Sequence, residues 1–287
     1  MKTSARQTLR NYGSLLAGIF LVLSAMPAWA GDKVPALTGP AAPRGDAAVI
    51  RPQQAEPLTC NLWNQPRSGV NTTPYANQQF EETQAGFDIF LADDFMSFRP
   101  WLIDTIFVPG ELWNGAMGLA EANTLHFEIY HDRGGRPDGD PWGNGNPPVW
   151  SLAVPPTDSR VTIETTELDP VLGIYESNVT LALDPPVRLN SGVYWLVFYP
   201  QLDWLPPFYH QYGRFAADTA NRSPAKVENP GQAPEWEDLD YFLPQNWENA
   251  SSYLPGFTQH DLAFCLQGKE SFYWPMFVPA TTGNKQQ

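Results

Sequence analysis

The chain has 287 residues, with 17 Lys and Arg against 31 Asp and Glu and a formal net charge of −14. That balance argues against a nucleic-acid partner, because counterion release from phosphate rewards the opposite sign. An acidic surface favours solubility, cation binding or basic partners instead. With 29 Pro and 22 Gly there is little room for several long helices.

Residues 1–30 read as an export signal. Lys2, Arg6 and Arg10 give the positive start, Leu15 to Ala25 the apolar run, and Ala28-Trp29-Ala30 the small-x-small cleavage pattern. The apolar run is too short to span a bilayer, so no transmembrane anchor is expected. No cysteine follows the cleavage point, which argues against a lipid anchor. Cleavage removes three basic residues and no acidic one, leaving 14 against 31, a net −17. The expectation is a secreted protein, released into the periplasm or beyond. Residues 31–57 are rich in Pro, Ala and Gly and read as an extended linker.

Residues 58–268 read as one β domain. Cys60 lies in the strand-like Leu58–Trp63 and Cys265 in the strand-like Leu262–Leu266. An even pair in an exported chain predicts a disulfide that sets the first and last strands side by side; free thiols or a metal pair are the competing reading. Phe87, Ile89 and Leu91 alternate ahead of Asp93-Asp94-Phe95, and Trp101–Val108 is a mixed apolar run. Leu125, Phe127 and Ile129 alternate with His126, Glu128 and Tyr130, the pattern of a strand with one wet face. Val161 and Ile163 mark another strand, and Val179, Leu181 and Leu183 another before Asp184-Pro185-Pro186. Tyr194–Tyr199 is unbroken apolar sequence between Ser191-Gly192 and Pro200, which predicts a strand buried on both faces. Eight or more strands with long Pro/Gly-rich loops predict an all-β fold, a single jelly-roll-like β-sandwich. Residues 269–287 read as an aromatic then polar tail.

The order of Leu91-Ala92-Asp93-Asp94-Phe95, Trp101–Ile106, Phe127-Glu128-Ile129-Tyr130, Ser191–Leu196 and Asp261-Leu262-Ala263-Phe264 resembles the uncharacterised secreted bacterial β-sandwich modules found ahead of cell-surface sorting tails. The resemblance spans most of residues 85–268. It implies a fold and an extracellular life, and no activity.

Three groups of residues carry candidate chemistry. In the 132–148 loop, Asp138, Asp140, Asn144 and Asn146 present closely spaced oxygens between glycines, a pattern suited to calcium but without the EF-hand spacing. The same side chains equally suit Asx turns that bond their own backbone. Trp142, Trp204, Trp236 and Trp247 have polar neighbours and suit stacking on sugar rings, or capping of the sandwich ends. Glu235 and Glu237 loosely resemble the paired carboxylates of some β-sandwich glycoside hydrolases; an acidic solvated loop reads the same way. His126 and Glu128 share a strand face with no second histidine to complete a metal triad, so a surface pair is expected.

The function that follows is a secreted non-catalytic module binding glycan or another surface polymer through loop aromatics, with calcium as candidate cofactor. The alternatives are a glycoside hydrolase or lyase using Glu235 and Glu237, and an extracellular structural or protein-interaction component.

Overall fold

The computed structural model describes residues 58–70, 73–113, 117–169, 171, 173–205, 208–218, 220–231, 243–254, 256–257 and 261–271. These residues form β1 (Trp63–Gln65), β2 (Pro74–Ala76), β3 (Gln79–Phe80), β4 (Phe90–Ser97), β5 (Trp101–Val108), β6 (Gly110–Trp113), β7 (Thr124–His131), β8 (Trp150–Val154) and β9 (Val161–Asp169). There follow β10 (Ile174–Leu189), β11 (Gly192–Leu202), β12 (Trp204–Leu205), β13 (Phe208–Tyr209), β14 (Gln211–Phe215), β15 (Lys226–Glu228), β16 (Glu248–Asn249) and β17 (Phe264–Glu270). Residues 1–57, where an export signal and a linker are expected, Glu235, Trp236, Glu237 and the tail beyond Ser271 lie outside the described residues.

The fold is an all-β sandwich. One sheet runs β1-β17-β5-β10-β6-β14-β2, with β9 also on β10; the other runs β16-β15-β4-β11-β7-β8, with β3 also on β11. Two-residue alternation builds the core between them. Leu125, Phe127 and Ile129 of β7 and Leu196 and Phe198 of β11 pack with Ile103, Ile106 and Val108 of β5 and Val179 and Leu181 of β10. Burying each such side chain contributes about 1.5–3 kcal/mol.

Cys60 and Cys265 are joined, with their Cα atoms 5.2 Å apart. β1 runs antiparallel to β17, with Asn64 opposite Cys265, so the first and last strands are neighbours as expected. A buried polar bolt reinforces this closure. Asp93 Oδ2 on β4 accepts from the Gln65 side chain at 2.9 Å and from the Leu262 amide at 2.6 Å.

Four local expectations are corrected. Leu58–Trp63 is not a strand: Cys60 adopts φ +47°, and pairing starts only at Trp63. Glu82–Phe87 winds into a 3-10 turn, and the Asp88 carboxylate after it accepts the Phe80 amide at 2.8 Å; the strand therefore begins at Phe90. β10 runs through Asp184-Pro185-Pro186 to Leu189, because a register shift between Ala182 and Val187 absorbs the prolines. Finally, the outward face of β7 is only partly wet: His126 and Glu128 are half-buried, and Tyr130 is 1% exposed. Tyr194–Tyr199 is buried on both faces, as its composition predicted. Among the described residues, no helix is long and apolar enough to cross a membrane.

Candidate functional site

Strand register lays the outward face of the second sheet out in rows. Lys226 of β15 stands beside Ala92, which stands beside Val197 and then Glu128 of β7. One row away, Glu228 stands beside Phe90, whose ring contacts Tyr199 at 4.8 Å, and Tyr199 stands opposite His126. In the row on the other side, Asp94 faces Trp195, which faces Tyr130. Val227 points the other way, into apolar packing with Leu91 and Leu262, so the alternation that buries it aims Glu228 outward.

Two loops roof this face. The 132–148 loop is held by its own polar groups. Asp132 accepts the Trp195 indole N–H at 2.9 Å and the Gly135 amide at 3.1 Å, and Asp140 Oδ1 accepts the Asn144 amide at 2.9 Å. Asp138 accepts from the Asn146 side chain at 2.7 Å and pairs with Arg133 at 3.2 Å. Two glycines are required by close approach. A Cβ on Gly139 would meet the Asn146 carbonyl at 2.0 Å, and one on Gly145, at φ +83°, the Asp138 carbonyl at 2.6 Å. The second loop brings Trp247, 6% exposed, whose indole donates to the Gly139 carbonyl at 2.9 Å and ties the two loops together.

Beneath the roof is a cavity of about 200 Å³, lined by Arg133, Arg136, Pro137, Asp138, Gly139, Asp140, Asn144, Gly145, Glu228, Asn246 and Trp247. A second cleft of about 530 Å³ shares Arg133, Arg136 and Trp247 with it and adds Lys226, Glu248 and Asn249. Both clefts share the two arginines; the first adds three acids, the second one lysine and one acid.

The buried groups around the cavity are strongly perturbed. Glu228 is 1% exposed, and neither carboxylate oxygen has a hydrogen-bond partner among the described residues. Burial pushes it up to about 10, and the nearby Asp140 and Glu128 charges add to the shift. Burial also raises Glu128, against hydrogen bonds from Tyr130 at 2.5 Å and Tyr199 at 3.0 Å that favour its charged form. The two phenols are driven well above their ordinary range, by burial first and by the Glu128 charge second. Asp88 is pushed up to about 6 by burial, opposed by the Phe80 amide and by the Trp142 indole at 2.9 Å. His126 stacks on Tyr199 at 4.6 Å and is lowered by burial to about 4. At neutral pH the face therefore carries a neutral acid and a neutral imidazole, with anionic and cationic groups at the cavity's edge.

Of the sequence candidates, Asp138, Asp140 and Asn144 line the cavity and Asn146 braces Asp138. Among the described residues, no group of three or more His, Cys, Asp or Glu side chains is placed to hold a metal ion. Trp247 forms part of the roof, and Trp142, 42% exposed, sits on the same loop with its indole bound to Asp88. Trp204 lies in β12, opposite Tyr209 of β13. His126 and Glu128 do share a face, both half-buried, with His126 stacked on Tyr199 and Glu128 bound by the Tyr130 and Tyr199 hydroxyls. Glu228 escaped sequence reasoning. Its only local signal is Lys226-Val227-Glu228, one apolar residue between two charges.

No protein-family profile, curated protein sequence or solved structure matches this chain.

Proposed function

We propose that this is a secreted, non-catalytic β-sandwich module that binds a glycan or another surface polymer through the roofed face of its second sheet. The observation that carries the reading is the paired cleft. Arg133 and Arg136 as donors, Asp138, Asp140 and Glu228 as acceptors, the Asn246 amide and the Trp247 ring converge on one opening. Sugar recognition calls for that mixture, with hydroxyls that both donate and accept and an apolar ring face that stacks on an aromatic. At about 200 Å³ the cavity lies below the roughly 300–1,000 Å³ of drug-sized ligand sites, which suits one sugar unit of a chain continuing along the open cleft. The signal-like residues 1–30 and a disulfide of the kind that persists in oxidising compartments support export. The same reading gives the chain the extracellular life of the secreted modules it resembles.

Retention of the mature chain on a panel of polysaccharides, with Arg136→Ala and Asn246→Ala as variants, tests the proposal. At least one polymer should be retained, and each variant should weaken binding about tenfold, the loss of one to two polar contacts. Retention on none, or retention unchanged in both variants, overturns it. Alanine at Trp204 and Trp236 asks whether other loop aromatics extend the surface. Release of reducing ends by the wild-type chain would move the protein to the hydrolase reading built on Glu235 and Glu237.

A further inference from the structure

The Glu228 carboxylate is an anomaly in a protein interior. Buried polar groups are almost always hydrogen-bonded, and buried charges are paired or bind metals. Glu228 is 1% exposed, both of its oxygens lack a partner among the described residues, and it lines a cavity rather than packed apolar side chains. Asp140, 8% exposed, lines the same cavity and keeps a second carboxylate oxygen beyond the one that takes the Asn144 amide. Three acids therefore line one small space with Arg133 and Arg136; Asp138 is paired with Arg133, and among the described residues neither oxygen of Glu228 is answered.

We propose that this space is a binding site for a hard divalent cation, with Glu228 as its principal ligand and Asp140 and the Asn246 amide oxygen as its partners. The donor set selects the ion. Its side-chain ligands are carboxylate and amide oxygens, with no thiol or imidazole in the lining, and such donors suit calcium or magnesium over zinc or copper. A carboxylate with both oxygens open can bind a calcium ion side-on, as larger ions permit. Because the described acids fall short of a three-carboxylate cluster, water must complete the shell. That predicts an affinity on the order of 10⁻⁴–10⁻³ M, the range of extracellular calcium modules. The site differs from the loop set read from the sequence. It keeps Asp140, but Asp138 is already engaged by Arg133 and Asn146.

The ion stiffens the floor and roof of the cleft proposed for glycan, yet the inference stands without any glycan. The test is thermal unfolding and titration calorimetry of the mature chain with calcium chloride, and with magnesium chloride for comparison. Wild type should bind one calcium ion and melt several degrees higher in 10 mM calcium than in EDTA, since a ligand of the native state stabilises it. Glu228→Gln keeps the size and shape of the side chain, so it should fold, and should lose the shift and at least tenfold in affinity. Asp158→Asn, outside the cavity lining, should retain both. No shift with either ion, or a shift kept in Glu228→Gln, overturns the proposal. Polysaccharide retention measured in calcium and in EDTA separates the two readings. Ion binding without retention sinks the glycan reading alone, and retention with no ion binding sinks this one alone.

Discussion

On the inner face of β7 and β11, Leu125, Phe127, Ile129, Leu196 and Phe198 are fully buried among other apolar side chains. On the outer face of the same strands, Tyr130, Trp195 and Tyr199 are buried to within 2% of that, but beside Glu128, His126 and Glu228. Equal depth with opposite chemistry separates two jobs. The inner face is stabilised by removing apolar area from water. The outer face holds buried titratable groups, Glu228 above all, that packing alone does not explain, and natural chains place such groups at binding sites more often than elsewhere.

The sharpest test of that contrast compares neighbours. Phe198→Ala removes an inner ring and should cost about 3–5 kcal/mol. Tyr199→Phe removes one hydroxyl donor to Glu128 and should cost about 1–2 kcal/mol. Urea unfolding of both variants measures the pair. Equal losses would mean that the outer face is a second core and not a site. Below the inner-face effect comes the staple. Cys60 and Cys265 are 205 residues apart, a loop for which the chain-entropy model gives about 5 kcal/mol, while measured bridges more often give about 2–4. Cys60→Ser with Cys265→Ser should lower the urea midpoint accordingly, with no preference for either face.

The inner face was legible in the sequence because its signal is periodic and local: Leu125, Phe127 and Ile129 alternate, and Trp101–Val108 is a strand at the residues its apolar run marks. The disulfide was legible from an even cysteine count. The roofed face was not. His126, Glu128 and Tyr130 spell a solvent face by alternation, yet His126 and Glu128 are half-buried and Tyr130 is buried beneath the 132–148 and 243–250 segments. The indole of Trp247 reaches the Gly139 carbonyl across 108 residues, and no local pattern encodes such a contact. Glu228 sits in a three-residue strand, too short for periodicity to distinguish core from surface. Long-range roofing, not propensity, made the site.

The outer face should also show in the pH dependence of stability. Glu228 rises from an ordinary 4.5 to about 10 on folding, so between those values the folded chain holds a proton that the unfolded chain has lost. Its contribution is full below the ordinary value and is lost as pH climbs toward the folded one, a slope of up to about 1.4 kcal/mol per pH unit. His126, lowered to about 4, acts with the opposite sign between about 4 and 6.5, and Asp88 and Asp261, raised to about 6 and 7, act with the same sign below those values. Asp93, also raised well above its ordinary value by burial, acts with the same sign but equally in wild type and variant, so the comparison is made at pH 7–9 in EDTA. There wild type should lose stability with rising pH more steeply than Glu228→Gln, which cannot ionise in either state. Parallel curves would remove Glu228 from the account.

The smallest expected effect concerns the edge of the roof, where exposed and buried chemistry meet. Trp142 is 42% exposed, yet its indole N–H donates at 2.9 Å to Asp88, which is fully buried. If that ring merely lies on the surface, Trp142→Phe costs a few tenths of a kcal/mol at any pH. If the indole stabilises the ionised form of Asp88, the cost must depend on pH. The bond lowers the folded-state value of Asp88 against the burial that raises it to about 6. Stability gained this way exists only while Asp88 is charged. Trp142→Phe should therefore cost about 1–2 kcal/mol at pH 8 and markedly less at pH 5, where Asp88 is protonated in the fold with or without the indole. A cost that is flat across that interval would assign Trp142 to the solvent, and would place the boundary of the roofed face at Asp140 rather than at the tip of its loop.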